Sequence, residues 1–344
     1  MYDKITILIP CRNEEKFISA IIEDVINQDY PKDKTEVFII DGMSDDKTRE
    51  IINQYSTKYS GLKVLDNPQK TVPYAMNIGI KASSGDIIIR MDVHSLYPKD
   101  YISKLVYFLE KLNADNVGGV CITKPFSDTL MAKAISLVLA HPFGVGNSYF
   151  RIGAKEIKEV DTVPFGCYKR KIFDKIGLFD ESLIRNQDDE FNARLKKNGG
   201  KIFLIPDIKI IYCARNSLKT LAKMYYQYGY FKPLVNLKIG SPATLRQLVP
   251  FGFILSLIFF LILSLFFRPA IWAFIFILFS YLLAQIIVSL KIAIKNDIKL
   301  FFILPVAFAT LHFSYGIGYI NGIKNFVFLK KHKKKQIEDM SLTR

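Results

Sequence analysis

The residues best suited to chemistry stand together at Asp92-Val93-His94, just downstream of Arg90 and the apolar residues 87–89. The apolar run predicts a buried strand, and residues two apart on a strand present their side chains on the same face. A carboxylate oxygen and an imidazole nitrogen together can hold a divalent cation, and such a cation can hold a diphosphate. The plainer interpretation is a strand that ends in a polar surface turn.

The first hundred residues alternate between short apolar runs and stretches with helical spacing. The predicted strands cover residues 5–9, 36–40, 63–65 and 86–91, and the predicted helices cover 13–28, 44–59 and 72–83, with Ser44 as an N-cap. This alternation predicts a parallel sheet covered on both faces, with ligands beyond the carboxyl ends of its strands. The polar clusters that follow three of the strands are therefore expected at one edge of the sheet.

After residue 100 the pattern is looser. Helices are expected over residues 101–112, 131–140, 171–176 and 188–197, and a strand over 202–205. The 131–140 helix is amphipathic and fits either the core or a membrane surface. We expect the Pro-Phe-Gly-Val-Gly stretch that follows it, within residues 141–146, to be a loop.

Apolar composition divides the chain into modules. Residues 248–267 and 270–290 carry no charge, and each run can cross a hydrocarbon core of about 30 Å as a helix. A third apolar segment, 300–323, is interrupted by Pro305, His312 and three glycines. The expected modules are a cytoplasmic catalytic domain at 1–240, a transmembrane module at 241–329 and a basic tail at 330–344.

Charge distribution favours a particular topology. Two spans return the chain to the cytoplasm at residues 291–299, in agreement with the positive-inside rule. A third full span would place the basic cluster at 330–335 outside. We therefore favour two spans plus a glycine- and proline-broken segment that returns to the same side, with three spans as the alternative.

The composition also bears on location and partners. The N-terminal sequence has no signal-peptide pattern, and the four cysteines lack the spacing of a disulfide or metal site, which fits a reducing cytoplasm. Of the net charge of +15, residues 1–240 carry only +6, from 35 basic and 29 acidic residues. The sequence therefore predicts no nucleic-acid partner, and the basic tail fits anionic membrane lipid at about 1 kcal/mol per residue.

Five polar stretches together resemble a known family. They are Pro10-Cys11-Arg12-Asn13-Glu14, Asp41-Gly42-Met43-Ser44-Asp45-Asp46, Asn77-Ile78-Gly79, Asp92-Val93-His94 and Gln187-Asp188-Asp189-Glu190. Their order and spacing over about residues 1–235 resemble the family 2 glycosyltransferases, most closely the membrane-bound exopolysaccharide glucosyltransferases of the succinoglycan type. The resemblance implies an α/β GT-A fold, with a mixed, mostly parallel sheet flanked by helices and followed by transmembrane helices.

The resemblance also implies which residues bind the nucleotide sugar. Asp41 is expected to accept a hydrogen bond from the uracil imide, against the alternative of an Asx turn. Glu14 is expected at the base or ribose, against the alternative of an acid in the first turn of a helix. The remaining nucleotide-sugar ligands implied are Pro10, Arg12, Asn77, Gly79, Asp92, Gly166 and Arg215.

Two further roles follow from the resemblance. Asp92 and His94 are expected to hold Mn²⁺ or Mg²⁺, and the imidazole suits Mn²⁺ better. Asp188 is the candidate base that takes the proton of the acceptor hydroxyl, with Asp189 as its rival. The alternative is that both aspartates only stabilise the N-terminus of a helix. Relatives usually carry glutamate where Gln187 stands and arginine where Met76 stands.

The predicted function is an inverting, metal-dependent transfer of a hexose, with glucose expected, from a UDP-sugar. The expected acceptor is a polyisoprenyl-diphosphate-linked saccharide at the cytoplasmic face of the inner membrane, where the protein would be a multi-pass enzyme in contact with lipid.

Three other interpretations compete with this function. A processive polysaccharide synthase would need a Gln-x-x-Arg-Trp motif, whereas the nearest stretch here is Gln227-Tyr228-Gly229-Tyr230-Phe231. A membrane-anchored nucleotide-binding protein without catalysis would fit the departures at Met76 and Gln187. A dehydrogenase would need Gly-x-Gly-x-x-Gly after the first strand, and this chain has none there.

Overall fold

The computed structural model describes residues 3–331, so the basic tail predicted at 330–344 lies almost entirely outside the described residues. Nine strands within that range form one sheet, in the order β3-β2-β1-β4-β8-β6-β9-β5, with β7 also paired to β9. The strands are β1 Ile5–Cys11, β2 Thr35–Asp41, β3 Leu62–Asp66, β4 Ile87–Arg90, β5 Ser95–Leu96, β6 Asn116–Lys124, β7 Lys158–Glu159, β8 Cys167–Lys169 and β9 Ile202–Cys213.

The N-terminal part of this sheet is parallel, as the sequence predicts. β1 lies between β2 and β4, and β2 continues the parallel arrangement to β3. From β8 onward the pairing turns antiparallel, beginning with β4 against β8. The carboxyl ends of β2, β1 and β4 therefore meet at one edge, and the mixed sheet expected of a GT-A fold is confirmed.

Helices alternate with the strands of this sheet, and four further α-helices in the described part of the chain follow the last strand. The helices are α1 Ile18–Ile26, α2 Thr48–Ser56, α3 Val72–Ala82, α4 Tyr101–Lys111, α5 Leu130–Leu139, α6 Pro142–Val145, α7 Tyr149–Ile152, α8 Lys171–Ile176, α9 Gln187–Lys197, α10 Leu218–Ile239, α11 Val249–Leu263, α12 Ala270–Lys295 and α13 Leu304–Gly322. The one-turn helix α6 replaces the loop predicted at 141–146, because the His141 ring accepts from the Phe143 N–H as an N-cap.

Two helices start later than the sequence predicts. α1 begins at Ile18 rather than at residue 13. α2 begins at Thr48, so the prediction of Ser44 as its N-cap is wrong. The Ser44 hydroxyl is used elsewhere, since it donates to Asp41 and accepts from the Asn13 N–H.

The folded chain divides into two compact units. The first contains residues 1–122 and 152–212, and the second contains residues 123–151 and 213–344. This division differs from the boundary predicted at 240, because 123–151 and the α10 helix group with the C-terminal helices. The difference arises from contacts between segments that are distant in sequence.

The second unit is helical, with a core contributed mainly by α5, α10 and α13. Within residues 3–331, three helices are long and apolar enough to cross a membrane, at Leu245–Leu263, Ala270–Lys295 and Ile298–Phe328. The prediction that proline and glycine break the third apolar segment is wrong. Pro305 lies in the first turn of α13, where a proline is tolerated, and the helix continues to Gly322.

Candidate active site

Asp41 ends β2 and is only 3% exposed. Its Oδ1 accepts from the Ser44 hydroxyl at 2.5 Å, and its Oδ2 accepts from Arg49 Nη1 at 3.2 Å. The Ser44 N–H also donates to Oδ1, at 3.2 Å, which forms the Asx-type turn that the sequence predicts as the alternative role of Asp41. Arg49 additionally pairs with Asp66 at the end of β3. These contacts hold a buried carboxylate at the carboxyl edge of the sheet.

The loop after β1 joins the loop that Asp41 supports. The Asn13 N–H donates to the Ser44 hydroxyl at 2.8 Å, and the Glu14 N–H donates to Thr48 Oγ1 at 2.6 Å. Burial and the nearby Asp41 and Glu14 charges raise the pKa of the Cys11 thiol. Both carboxylates therefore lie close to the end of β1.

Arg12 extends from the same loop. A Cβ on Gly42 would meet the Arg12 side chain at 3.1 Å, so the two loops pack closely here. The Arg12 Nε is buried and has no hydrogen-bond partner among the described residues. Pro10, two residues before Arg12, lies within β1 and pairs with Ile40 of β2.

The Asp92-Val93-His94 group lies in a turn, because β4 ends at Arg90. The expectation that Asp92 and His94 share one face of a strand is therefore wrong. Asp92 Oδ1 instead accepts from the His94 N–H at 3.1 Å, so the carboxylate closes the turn. The Tyr97 hydroxyl accepts from the Asp92 N–H at 2.7 Å and fixes the backbone there.

His94 turns its ring toward the loop after β1. Its Nε2 lies 3.1 Å from Glu14 Oε1. The Phe17 ring packs edge-on against the imidazole, with centroids 4.9 Å apart. The loops after β2, β1 and β4 are thus joined by direct contacts, in the order Asp41 loop, Glu14 loop and His94 turn.

Arg90 is named beside the Asp92-Val93-His94 group in the sequence without a role, and the structure makes it part of the site. The residue is 9% exposed, and its guanidinium Nη2 lies 3.6 Å from Asp92 Oδ2. The Phe165 ring lies below it, at 6.0 Å from the centroid. The sequence could have indicated this role, because Arg90 stands at the end of an apolar run. A cation that is buried at the end of a strand needs a partner of opposite charge nearby.

Gly166 lies beside Arg90, whose N–H donates to the Gly166 carbonyl at 3.1 Å. Gly166 has φ +84°, and a Cβ there would overlap the Tyr168 ring. Both facts require glycine. Gly166, which is expected to bind the nucleotide sugar, is therefore held against the end of β4.

Asp188 and Asp189 lie in the first turn of α9, as predicted. The Asp189 N–H donates to Asp188 Oδ1 at 3.0 Å. Burial, followed by the Asp188 charge, raises the pKa of Tyr168. The Tyr168 ring also packs on Phe191 of α9, with centroids 5.4 Å apart. Asp188 is therefore near the Tyr168 ring, and Gly166 packs against the same ring.

Asn77 and Gly79 lie on α3, where their contacts are internal. The Asn77 amide bonds the backbone N–H and carbonyl of Phe179 and the Glu181 carboxylate. A Cβ on Gly79 would approach Leu8 to 2.7 Å, so the glycine allows α3 to pack closely on the sheet. The Asn77 contacts hold the segment before α9, and the close approach at Gly79 holds α3 against the sheet.

Arg215 follows β9 and belongs to the second unit. Its Nε is buried without a hydrogen-bond partner among the described residues. Its predicted contact with the sugar donor stays a prediction.

The side-chain ligand atoms of Asp92 and His94 suit a divalent cation. The pair offers one carboxylate oxygen and one imidazole nitrogen, which suits Mn²⁺. Within residues 3–331, no group of three or more His, Cys, Asp and Glu side chains is placed to hold a metal ion. The remaining ligands would have to come from a diphosphate or water.

Comparisons with known proteins support the fold and the motifs. Residues 6–177 match the model of glycosyl transferase family 2. The chain is 31% identical over 327 residues to the dolichyl N-acetyl-alpha-D-glucosaminyl phosphate 3-beta-D-2,3-diacetamido-2,3-dideoxy-beta-D-glucuronosyltransferase of Methanococcus voltae, covering 93% of this chain and 97% of that protein. It is also 32% identical over 246 residues to the succinoglycan biosynthesis protein ExoA of Rhizobium meliloti, covering 71% of this chain and 73% of that protein.

A solved structure shows the same architecture. The mannosyltransferase PcManGT of Pyrobaculum calidifontis, in complex with GDP-Man and Mn²⁺, superimposes with a TM-score of 0.58 at 15% identity. The match covers 92% of this chain and 87% of that one. At this identity the likeness concerns the fold.

Proposed function

The chain belongs to glycosyl transferase family 2, and we propose that it transfers a sugar from a UDP-sugar to a lipid-linked saccharide, with inversion at the anomeric carbon. The observation that carries this proposal is the chain of contacts joining Asp41, Glu14, His94 and Asp92 at the carboxyl edge of the sheet. In parallel sheets of this kind, ligands bind at that edge.

Asp41 and Arg12 act on the nucleotide. The Asp41 carboxylate is buried and held by Ser44 and Arg49, so it can accept the uracil imide N–H without reorganising. Arg12 extends from the adjacent loop, and a guanidinium suits the negative charge of a diphosphate. Gly166 and its neighbours line the sugar, and Arg90 holds Asp92 in place.

Asp188 acts as the base. The acceptor hydroxyl oxygen attacks the anomeric carbon while the bond from that carbon to the diphosphate oxygen breaks, and the hydroxyl proton passes to Asp188. Asp92 and His94 would hold a divalent cation, which when bound stabilises the negative charge of the leaving diphosphate. A single displacement of this kind inverts the anomeric centre.

The acceptor proposal depends on the helical unit and on a relative. Three long apolar helices associate the protein with a membrane, which is where a lipid-borne acceptor would be found. The Methanococcus voltae relative, by its name, extends a saccharide on a dolichyl phosphate. We infer a polyisoprenyl lipid that carries its saccharide through a phosphate or diphosphate, at the cytoplasmic face.

Two sugars are candidates. Glucose follows from the succinoglycan-type resemblance. The Methanococcus voltae relative favours a diacetamido-dideoxyglucuronosyl donor, because that match covers more of both chains. The two donors differ in the carboxylate and acetamido groups that the pocket must accommodate.

The test uses membranes that contain the full-length protein. They are incubated with each radiolabelled UDP-sugar and a lipid-linked acceptor, with and without Mn²⁺, and the lipid products are separated by size. One added sugar with the inverted linkage is the expected product. A polymer would favour a processive synthase, and UDP binding without transfer from any donor would contradict the proposed catalysis.

A further inference from the structure

We propose that Asn116 and Asn192 are positioning residues for Asp188. Their buried side-chain amides hold helix α9, which carries Asp188, against strand β8, which directly follows Gly166. The amides thereby set the place of the base relative to Gly166, which is expected at the nucleotide sugar. This inference rests on the proposed function, in which Asp188 takes the proton of the acceptor hydroxyl.

Both asparagines stand where an apolar residue would be expected. Asn116 begins strand β6, and Asn192 shares the buried face of α9 with Phe191 and Leu195. Both amides are fully buried. Asparagine is unfavourable inside helices and strands, and a leucine of similar volume would fill the same space. The contribution of these two residues is therefore the directed hydrogen bonding of their amide groups.

One backbone N–H fixes the orientation of both amides. The Cys167 N–H donates to Asn116 Oδ1 at 3.1 Å. Asn116 Nδ2 donates to Asn192 Oδ1 at 3.0 Å, and Asn192 Nδ2 donates to Thr162 Oγ1 at 2.8 Å. Because a backbone N–H can only donate, reversing either amide would set two donors against each other. The network therefore accepts a single arrangement of these side chains.

The network joins two segments that the proposed reaction must hold together. Cys167 directly follows Gly166, whose carbonyl accepts from the Arg90 N–H at 3.1 Å at the end of β4. Asn192 lies one helical turn after Asp188, so the two side chains lie on the same side of α9. A shift or rotation of α9 would therefore move Asp188 and stretch the hydrogen bonds of Asn192.

Other contacts keep α9 attached when an amide is removed. Phe191 packs on Phe179 and Phe173, with ring centroids 4.5 and 5.2 Å apart. The Arg194 guanidinium donates to the Leu178 carbonyl at 2.8 Å. Apolar packing is non-directional, so it holds the helix without fixing its rotation. Since a misplacement of about 1 Å can cost about 10²-fold in rate, loss of the amides should affect turnover more than folding.

The experiment compares substitutions of similar size inside and outside the network. Asn192→Leu removes an amide, Thr162→Val removes its hydroxyl partner, and Thr162→Ser keeps that hydroxyl. Thr6→Val is the matched control, because Thr6 is also buried and its hydroxyl accepts from the Gly85 N–H at 3.1 Å, near the beginnings of β1 and β4. Lipid-product formation, UDP affinity and melting temperature are measured for each variant of the full-length protein.

We expect Asn192→Leu to lower kcat by about 10²-fold and to leave UDP affinity unchanged. Thr162→Val should also lower kcat, whereas Thr162→Ser should keep the wild-type value because serine retains the bond to Asn192. In the Asp188→Asn background, Asn192→Leu should cause no further loss, since its effect acts through the Asp188 carboxylate. Thr6→Val should lower the melting temperature and keep kcat.

Three results would overturn the positioning role. They are an unchanged kcat in Asn192→Leu and Thr162→Val, an equal loss from Asn192→Leu in the Asp188→Asn background, and a comparable loss of kcat in Thr6→Val at the same fall in melting temperature. If Asn192→Leu does not fold, the comparison of Thr162→Val with Thr162→Ser decides. Absence of transfer by the wild type would instead contradict the proposed function, and the positioning role would fall with it.

Discussion

Asp188 is the residue on which the proposed chemistry depends most directly. Replacement by asparagine keeps the shape and removes the proton acceptor, so we expect Asp188→Asn to lower kcat by about 10²–10⁴-fold. UDP affinity should not change, because the role of Asp188 is in the chemical step. Both quantities can be measured on one preparation, by lipid-product formation and by calorimetry.

Asp189→Asn is the matched control for that experiment. The two aspartates are adjacent in the first turn of α9, and each carries the same charge at the helix N-terminus. We expect the Asp189 variant to retain most of the activity. Full activity in Asp188→Asn, or a large loss confined to Asp189→Asn, would transfer the role of base to the rival.

Single residues also show where sequence reasoning stops. Asp41, Asp92 and Asp188 lie in short stretches whose resemblance to family 2 glycosyltransferases implied their roles, and each stretch can be recognised locally in the sequence. Arg49 was missed because its partner Asp41 is eight positions away and the contact forms only in the folded loop. The link between Glu14 and His94 joins residues 80 positions apart, and no local pattern indicates it.

At the scale of elements, Glu36 connects three strands near their beginnings. Its Oε1 accepts from Thr6 Oγ1 on β1 at 2.5 Å and from the Gly85 N–H before β4 at 3.1 Å. Burial alone would raise the pKa of the Glu36 carboxyl, but the hydrogen bonds from Thr6, Ser84 and Gly85 lower it overall. The folded state therefore favours the charged form.

The sign of the pH dependence follows. A carboxyl whose pKa is lowered on folding contributes stability above its unfolded value, about 4.5 here, and loses that contribution as the pH falls through the folded value. We expect Glu36→Gln to melt at a lower temperature than the wild type at pH 7, with the difference shrinking below pH 4.5. The exposed Glu156→Gln is the control, and a gap that widens in acid would contradict this account.

The helices α10 and α13 approach each other through glycines. A Cβ on Gly318 would overlap the Tyr226 carbonyl of α10, and one on Gly229 would overlap the Tyr315 carbonyl of α13. Small residues allow helix backbones to come this close. The glycines that suggested a broken segment in the sequence are thus explained by packing of a continuous helix.

Substitution at this contact should be costly because backbone atoms cannot give way. We expect Gly318→Ala to destabilise the protein by about 1–3 kcal/mol, measured as a lower melting temperature of the full chain in detergent. Gly252→Ala on α11 is the control, since nothing lies within 4 Å of its Cβ position. Equal melting temperatures for the two variants would contradict this account, because they would show that α10 and α13 can move apart without any loss of stability.

Some elements were predicted closely, and one strand was predicted too short. β1, β2 and α9 were predicted within two residues of their observed ends. β9 was predicted over 202–205 but runs to Cys213, because exposed Asp207 and Lys209 alternate with buried residues after Pro206. The assignment of residues 123–151 to the helical unit rests on long-range packing, which the sequence does not display.

At the scale of the whole molecule, the third apolar helix differs from the other two. In Ile298–Phe328, 44% of the apolar window is buried within the protein, against 17% in Leu245–Leu263 and 6% in Ala270–Lys295. Its α13 part packs along α10, a helix that carries Lys219, Lys223 and Lys232. We therefore expect α11 and α12 to span the membrane and α13 to remain on its cytoplasmic side.

This topology is tested with single cysteines and a membrane-impermeant maleimide on intact cells. Arg268→Cys, between α11 and α12, should be labelled from outside. Lys295→Cys and Lys330→Cys should be labelled only after lysis, because two spans return the chain and the basic residues around 330 stay in the cytoplasm. The unmodified protein gives the background, since three of its four cysteines are buried and Cys213 is partly exposed. Labelling of Lys330→Cys from outside would establish a third span, with the basic cluster on the far side against the charge rule.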